Sequence, residues 1–205
     1  MISDERSKYK SWSNLKKQMN DLLCESLKGK ISYFYTTYRE VHDTYGRATV
    51  NYDKKELVSF SWHIRYEQWE DEYKILNDNN VDIIHLGSLS SVWEKQLQVQ
   101  KDLMKEKWMP ECTLCDGDFI LSVISYLKTD IASSLNSENY IMRIFAYMDR
   151  RVGKRTLVKI QDEAEKLPEW VKQFYLLRCE ADGIVFPIKR ITDESVVPLT
   201  RGFDN

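Results

Sequence analysis

The sequence predicts an α+β fold, with an N-terminal helix packed on a small antiparallel β-meander and followed by a helical C-terminal half. Between residues 31 and 62, aromatic and β-branched residues alternate with polar ones, which is typical of strands. Beyond residue 62, apolar residues recur every three or four positions, which is typical of helices. We expect residues 1–110 to form the α+β part, residues 111–183 a helical part packed on it, and residues 184–205 a tail.

The first predicted helix begins at a Ser13 cap and ends at Gly29. Its apolar residues share one face: Leu15, Met19, Leu22, Leu23 and Leu27. Three strands follow, at residues 31–38, 47–52 and 57–62, joined by a polar connection and by a turn at residues 53–56.

The predicted helices begin where the aromatic residues change their spacing. Trp62, Tyr66, Trp69, Tyr73 and Leu76 lie on one stripe, which we expect to face the core. Residues 81–86 suit an edge strand, and residues 91–108 suit a helix that stops before Pro110. Three more helical stretches begin at Asp116 or Asp118, at Ser137 and after Gly153, and Pro168 opens the last helix.

Composition limits the possible functions. Aromatic residues make up 12% of the chain, which excludes a disordered protein. A net charge of -2 gives no overall attraction to nucleic acid or anionic lipid. Nowhere do eighteen apolar residues run together, and residues 1–13 do not resemble a leader, so we expect a cytoplasmic protein without a membrane partner.

The four cysteines are expected to be free thiols. Cys112 and Cys115 have the spacing of half a zinc site, but no second pair of cysteines or histidines completes it. Phosphate-binding and common hydrolase motifs are also missing. We therefore expect no metal and no cofactor.

The connection between the first two strands gathers residues with acid–base capacity. His42, Asp43 and Arg47 are the catalytic candidates if the protein is an enzyme. The favoured interpretation is a long hairpin loop whose Asp and Gly serve the turn.

A basic corner lies between two predicted helices, at Asp149 to Arg155. Its cations are candidates for binding an anion: Arg150, Arg151, Lys154 and Arg155. Alternatively, Asp149 caps the next helix and pairs with these cations, and the net charge favours this internal pairing.

An acidic face accompanies the aromatic stripe of residues 62–76. Its members are the candidates for binding a basic partner: Glu67, Glu70, Asp71 and Glu72. The alternative is that these side chains are merely solvated.

Several blocks together resemble a family of small bacterial cytoplasmic proteins of unknown function. They are Trp12-Ser13 with Leu15-Lys16-Lys17, Cys24, Leu27, His42-Asp43, Gly46-Arg47, Asp149 to Leu157, Leu167-Pro168, Trp170, Phe174-Tyr175, Leu177-Arg178, Ala181 and Gly183. Residues 77–110 lie outside the resemblance, which suggests an insertion. The resemblance implies no activity.

We expect a non-enzymatic protein that binds a protein partner, either as an immunity-like or as a sequestering protein. The alternative is an enzyme whose site combines residues 38–47 with residues 149–155. A nucleic-acid-binding protein is the third possibility.

Overall fold

An N-terminal helix, a three-stranded antiparallel sheet and a helical second half follow one another in the computed structural model, which describes residues 11–37, 46–79 and 90–185. This order confirms the predicted α+β fold. The strands are β1 (Ile31–Thr37), β2 (Gly46–Tyr52) and β3 (Lys55–Ser61). The helices are α1 (Trp12–Leu22), α2 (Ile64–Asp78), α3 (Ser90–Leu103), a π-helical turn (Met104–Trp108), α4 (Met109–Glu111), α5 (Asp116–Tyr126), α6 (Ile131–Leu135), α7 (Tyr140–Met148), α8 (Lys154–Lys159), α9 (Gln161–Ala164) and α10 (Glu169–Ala181).

The sheet has the order β1-β2-β3, so consecutive strands are neighbours. Its central pairs place Tyr33 opposite Val50 and Val50 opposite Val58. Only Asp53 and Lys54 form the second turn, with φ angles of 46° and 68°. Two successive left-handed residues match the twist of a hairpin, so β3 begins two residues earlier than the sequence pattern predicted.

One face of the sheet packs against α5 and α7. Phe60 stacks on Phe119 with ring centroids 5.4 Å apart, and Tyr33 meets the edge of Phe145 at 5.9 Å. Phe119 and Phe145 also contact each other. Buried residues of the α+β part and of the helical part therefore belong to one continuous core.

The first helix is shorter than predicted, because a tertiary contact ends it. It begins after Ser11 instead of Ser13 and stops at Leu22. The Cys24 amide donates to the Met148 carbonyl at 3.0 Å, and the Arg150 amide donates to the Leu22 carbonyl at 2.8 Å. This short antiparallel bridge draws the chain away from the helix axis, and Leu27 enters the core from a turn.

The chain remains helical through Pro110, contrary to the prediction that a helix stops before it. Proline lacks an amide hydrogen, and its ring clashes with the carbonyl of the residue four positions earlier, here Glu106. That residue lies in the π-helical turn, whose wider winding accommodates the clash. Trp108 is buried as a result.

The caps of two later helices also differ from the prediction. Asp118 accepts a hydrogen bond from the Cys115 amide at 2.8 Å, so Cys115 is the capping position of α5. Asn139, not Ser137, caps α7, because its side-chain oxygen accepts from the Ile141 and Met142 amides.

Residues 81–86, the predicted edge strand, lie outside the described residues, as does the tail from residue 186 onward. Within the described ranges, no helix is both long enough and apolar enough to cross a bilayer.

Candidate interaction surface and basic corner

Helix α2 docks on the rest of the protein through polar side chains. Gln68 has no exposed surface, and its amide donates to the Thr113 carbonyl at 2.9 Å and to the Asp118 carboxylate at 3.1 Å. Leu76 is buried on the same side of the helix. Gln68 thereby connects α2 to the beginning of α5.

Two members of the predicted acidic face belong to this inward side. Glu72 is only 4% exposed and accepts hydrogen bonds from Gln96 and Gln100 of α3, at 2.5 and 2.9 Å. Asp71 accepts from the Lys107 ammonium at 2.6 Å and from the Trp108 indole at 2.9 Å. Both carboxylates therefore hold α2 to the segment from residue 90 to residue 111.

These contacts affect the ionisation of the Asp71–Lys107 pair. Burial alone would raise the pKa of Asp71, but the hydrogen bonds from Lys107 and Trp108 hold that pKa below its usual value. The hydrogen bond to Asp71 raises the pKa of Lys107. Both groups are consequently charged at neutral pH.

The aromatic face of α2, defined as Tyr66, Trp69 and Tyr73, points outward. These residues are 42%, 37% and 48% exposed. The expectation that their stripe faces the core was wrong for these three residues. The spacing of the aromatic residues was right, but the helix is rotated so that Gln68 and Glu72 face inward.

The aromatic face is ordered by ring contacts at its first turn. Half-buried Trp62 lies 6.0 Å from Tyr66 and 5.7 Å from Trp69, and Tyr66 meets Trp69 edge to face at 5.5 Å. Within the described part of the chain, the buried indole nitrogen of Trp62 has no hydrogen-bond acceptor. The Arg65 guanidinium lies 5.7 Å from the Trp69 ring centroid.

Of the predicted acidic face, Glu67 and Glu70 remain on the outer part of α2. Glu70 is exposed, and Glu67 is half-buried. Both lie beside the aromatic face in the helical sequence. The surface that α2 presents to solvent is thus aromatic with acidic neighbours.

The basic corner is built around a buried carboxylate. Asp149 accepts from the Tyr126 hydroxyl at 2.5 Å, from the Arg151 amide at 2.7 Å and from the Arg151 guanidinium at 2.7 Å. The Arg151 guanidinium also lies over the Tyr126 ring at 5.9 Å. Burial and the neighbouring carboxylate raise the pKa of Tyr126. The hydrogen bonds to Asp149 raise the pKa of Arg151.

Asp149 does not cap the next helix, because α8 begins only after Gly153. Instead it stabilises the turn that leads out of α7. The Arg151 amide, two residues later, donates to its side chain, which is the geometry of an Asx turn.

A second arginine, Arg178 of α10, also stabilises this turn. Arg178 of α10 is buried and donates to the backbone carbonyls of Asp149 at 3.1 Å and Val152 at 2.8 Å. Its charge is balanced by Asp182 at 2.9 Å. Burial alone would raise the pKa of Asp182, but hydrogen bonds from Ser26 and Arg178 hold that pKa below its usual value.

The predicted anion-binding cations divide into two groups. Arg151 pairs with Asp149, and the Lys154 ammonium donates to the Asp182 carbonyl at 2.6 Å. Arg150 and Arg155 are exposed and form no salt bridge with a described residue. Only half of the candidate anion site is therefore available to a ligand.

Of the predicted catalytic residues, the structure describes Arg47. His42 and Asp43 lie outside the described residues. The Nη2 atom of Arg47 donates to both carboxylate oxygens of Glu56, at 2.9 and 2.7 Å, and its Nε donates to the Ser59 hydroxyl. It thus serves the outer face of the β2–β3 hairpin.

Three of the described thiols, Cys112, Cys115 and Cys179, are not activated. Burial raises the pKa of Cys112 and Cys115 to about 12 and that of Cys179 to about 11. Within the described ranges, no three His, Cys, Asp or Glu side chains cluster in a way that could hold a metal ion.

Sequence patterns did not reveal the exposure of the aromatic face or the roles of Tyr126 and Arg178. One signal could have revealed the orientation of α2. Gln68 and Glu72 are spaced four apart, as are Gln96 and Gln100 on α3, so two helices each carry a polar pair that can interlock.

The fold and these surfaces define an α+β protein with a buried ionic corner and one helix that turns its aromatic residues to solvent. The chain belongs to the SF0329 protein family, whose model matches residues 11–179. This agrees with the expected membership of an uncharacterised family.

One curated protein is similar at low identity. The spindle pole body component 110 of Kluyveromyces lactis is 19% identical over 177 residues, which cover 80% of this chain and 19% of that protein. The chain therefore spans about a fifth of the length of the relative it matches. No solved structure matches the chain.

Proposed function

We propose that this protein binds another protein through the aromatic face of α2, as a non-enzymatic, immunity-like or sequestering protein of the bacterial cytoplasm. The observation that carries this proposal is the orientation of α2, which places Tyr66, Trp69 and Tyr73 at the surface. Tyrosine and tryptophan are the residues most enriched at energetic centres of protein interfaces. The bacterial cytoplasm is suggested by the resemblance of the sequence motifs.

The energetics of α2 support the proposal. Burying large aromatic side chains stabilises a fold, typically by about 1.5 to 3 kcal/mol each relative to full exposure. Here the helix is anchored by Gln68, Asp71 and Glu72 instead, and its largest apolar groups remain accessible. An exposed, preorganised aromatic cluster loses little side-chain entropy when a partner covers it.

Fewer acidic residues are available to a partner than the four that the sequence suggested. Asp71 and Glu72 are engaged inside the protein and Glu67 is half-buried, whereas Glu70 is exposed beside the aromatic face. The Glu70 carboxylate favours a partner with a basic surface, because complementary charge accelerates association.

The alternatives have less support. For an enzyme, Arg47 and Arg151 would have to leave their carboxylate partners, Glu56 and Asp149. For a nucleic-acid-binding protein, the net charge of -2 and the pairing of Arg151 are unfavourable. Neither function is proposed here.

The test removes the aromatic face without touching the inward side of α2. The triple variant Tyr66→Ala, Trp69→Ala and Tyr73→Ala and the wild type are immobilised and exposed to lysate of the source cells. Proteins retained by the wild type are then purified and titrated by calorimetry. We expect affinity for the true partner to fall at least about 30-fold in the triple variant.

The matched control is Phe34→Ala on β1, because Phe34 is 47% exposed, much like Tyr73. It should bind the partner as the wild type does. Circular dichroism should show the triple variant folded, since exposed side chains contribute little to stability. A partner that binds the triple variant and the wild type equally tightly would refute the proposal.

A further inference from the structure

Glu70 lies between two rings of the aromatic face of α2. It follows Tyr66 by four residues and precedes Tyr73 by three, and residues at these spacings are neighbours on a helix surface. Glu70 is exposed and forms no salt bridge within the described part of the chain. The nearest cation on its own helix is Lys74, one turn further along, which is also exposed.

The exposed ring of Tyr73 is a neighbour of the Glu70 carboxylate on α2. It is the most exposed member of the aromatic face, at 48%, and makes no ring contact with a described residue. A carboxylate next to an exposed aromatic ring attracts a cation in two ways, by charge and by the negative face of the ring. Glu70 and Tyr73 are three residues apart on α2, which places them as neighbours on the helix surface.

The neighbouring ring already carries an arginine from the same helix. The Arg65 guanidinium lies 5.7 Å from the Trp69 centroid, while its Nη1 donates to Gln68 at 3.0 Å. This contact demonstrates that a guanidinium fits over a ring of this surface while one of its nitrogen atoms donates a hydrogen bond. The same geometry is open to a guanidinium from outside at Tyr73, with Glu70 as acceptor.

We infer that the aromatic face of α2 recognises an arginine-bearing segment of a partner protein. The partner's guanidinium donates to Glu70 and stacks on Tyr73. Arginine suits this pair better than lysine, because its planar fork donates two parallel hydrogen bonds and stacks on rings. The inference rests on the proposed protein-binding function and names the chemistry of the partner.

The experiment titrates the full-length, ¹⁵N-labelled protein with synthetic eight-residue peptides in which arginine alternates with glycine or serine. A second peptide replaces each arginine by citrulline, which keeps the shape but removes the charge, and a third carries lysine. We expect saturable amide shifts over residues 66–73 with the arginine peptide. Affinity should be about tenfold lower for the citrulline peptide, with lysine between the two.

Two substitutions locate the binding site. Glu70→Gln and Tyr73→Ala should each weaken the arginine peptide about five- to tenfold. Glu180→Gln, an exposed carboxylate on α10, and Phe34→Ala are the matched controls and should leave binding unchanged. Equal binding of the arginine and citrulline peptides, or unchanged binding to Glu70→Gln, would overturn the inference.

The outcome separates this inference from the proposed function. A captured partner that requires Tyr66, Trp69 and Tyr73 but binds Glu70→Gln normally and ignores the arginine peptide would leave protein binding intact and reject arginine recognition. Sedimentation provides a further check. A wild type that dimerises, with a monomeric triple variant, would identify a second copy of this chain as the occupant and overturn the inference.

Discussion

At the scale of single residues, Asp149 explains the role of Arg151 among the cations of residues 150–155. Its carboxylate is buried, and it binds a tyrosine hydroxyl, a backbone amide and a guanidinium at once. A buried carboxylate is tolerated only when its charge is balanced and its oxygen atoms are hydrogen-bonded. Arg151 supplies the balancing charge, so one of the cations predicted to bind an anion is part of the fold.

Replacing Asp149 by Ala should therefore destabilise the protein. The change leaves the buried Tyr126 hydroxyl and the Arg151 amide without an acceptor, and we expect a loss on the order of 3 kcal/mol in the free energy of unfolding. Urea denaturation followed by circular dichroism measures this loss. Asp149→Asn should cost less, because its side-chain oxygen can still accept from the Arg151 amide.

Arg155→Ala is the control for the corner, since Arg155 is exposed and forms no salt bridge with a described residue. It should change stability by less than about 0.5 kcal/mol. An Asp149→Ala variant as stable as Arg155→Ala would show that the buried carboxylate does not stabilise the corner.

At the scale of elements, the beginning of β2 passes unusually close to the beginning of α5. A Cβ atom built on Gly46 would lie 1.7 Å from Oδ2 of Asp116, whose side chain is buried. A side chain at position 46 fits only if the Asp116 side chain, the strand or α5 moves. The glycine thus allows the Asp116 carboxylate to lie directly against the beginning of β2.

Gly46→Ala should consequently destabilise the protein by about 1 to 3 kcal/mol, the usual range for overpacking. Gly153→Ala is the matched control, because nothing lies within 4 Å of the added methyl group and the backbone there has a φ of -86°. Urea midpoints of the two variants should differ clearly. Equal midpoints would mean that α5 adjusts to the methyl group without cost.

The α2 helix shows which structural features the sequence pattern predicts and which it does not. Periodicity identified residues that share a helix face, and it located the strands because alternation has a single structural interpretation. It could not determine which face of α2 is buried, because that depends on Gln96 and Gln100, which approach from a distant segment. The end of α1 escaped prediction for the same reason, since its partner Met148 is far away in sequence.

The candidate sites were predictable to a similar degree. Asp149 and its cations were identified from local sequence, because Arg151 is only two residues away. Arg178 was not, although it holds the same turn, because its role depends on the packing of α10. The aromatic face was found as a stripe of residues, but its exposure required the tertiary structure.

At the scale of the whole molecule, the core connects the sheet, the helical part and the free thiols. Cys115 and Cys179 are buried at opposite ends of the helical half, one before α5 and one within α10. Both remain protonated at pH values where an unfolded chain would already carry thiolates. Their titration is therefore linked to the unfolding of the core that buries them.

The raised pKa values of the buried thiols predict that the protein loses stability in mild alkali. Thiols of the unfolded chain ionise near pH 8.5, whereas burial raises the pKa of Cys115 to about 12 and that of Cys179 to about 11. The stabilisation is fully present below pH 8.5, because both states are protonated there. Above that pH the unfolded chain holds fewer protons than the native one, so the free energy of unfolding decreases as pH rises.

From pH 9 to pH 10, the two thiols should together lower the free energy of unfolding by on the order of 2 kcal/mol. Urea denaturation at pH 8, 9 and 10 in the presence of a phosphine reductant measures the decrease. The double variant Cys115→Ala and Cys179→Ala should lose markedly less stability over this interval, whatever its stability at pH 8. If its pH dependence equals that of the wild type, Cys115 and Cys179 do not cause the alkaline loss. The remaining candidates are then Cys112 and the tyrosines whose pKa is also raised by burial: Tyr33, Tyr126, Tyr147 and Tyr175.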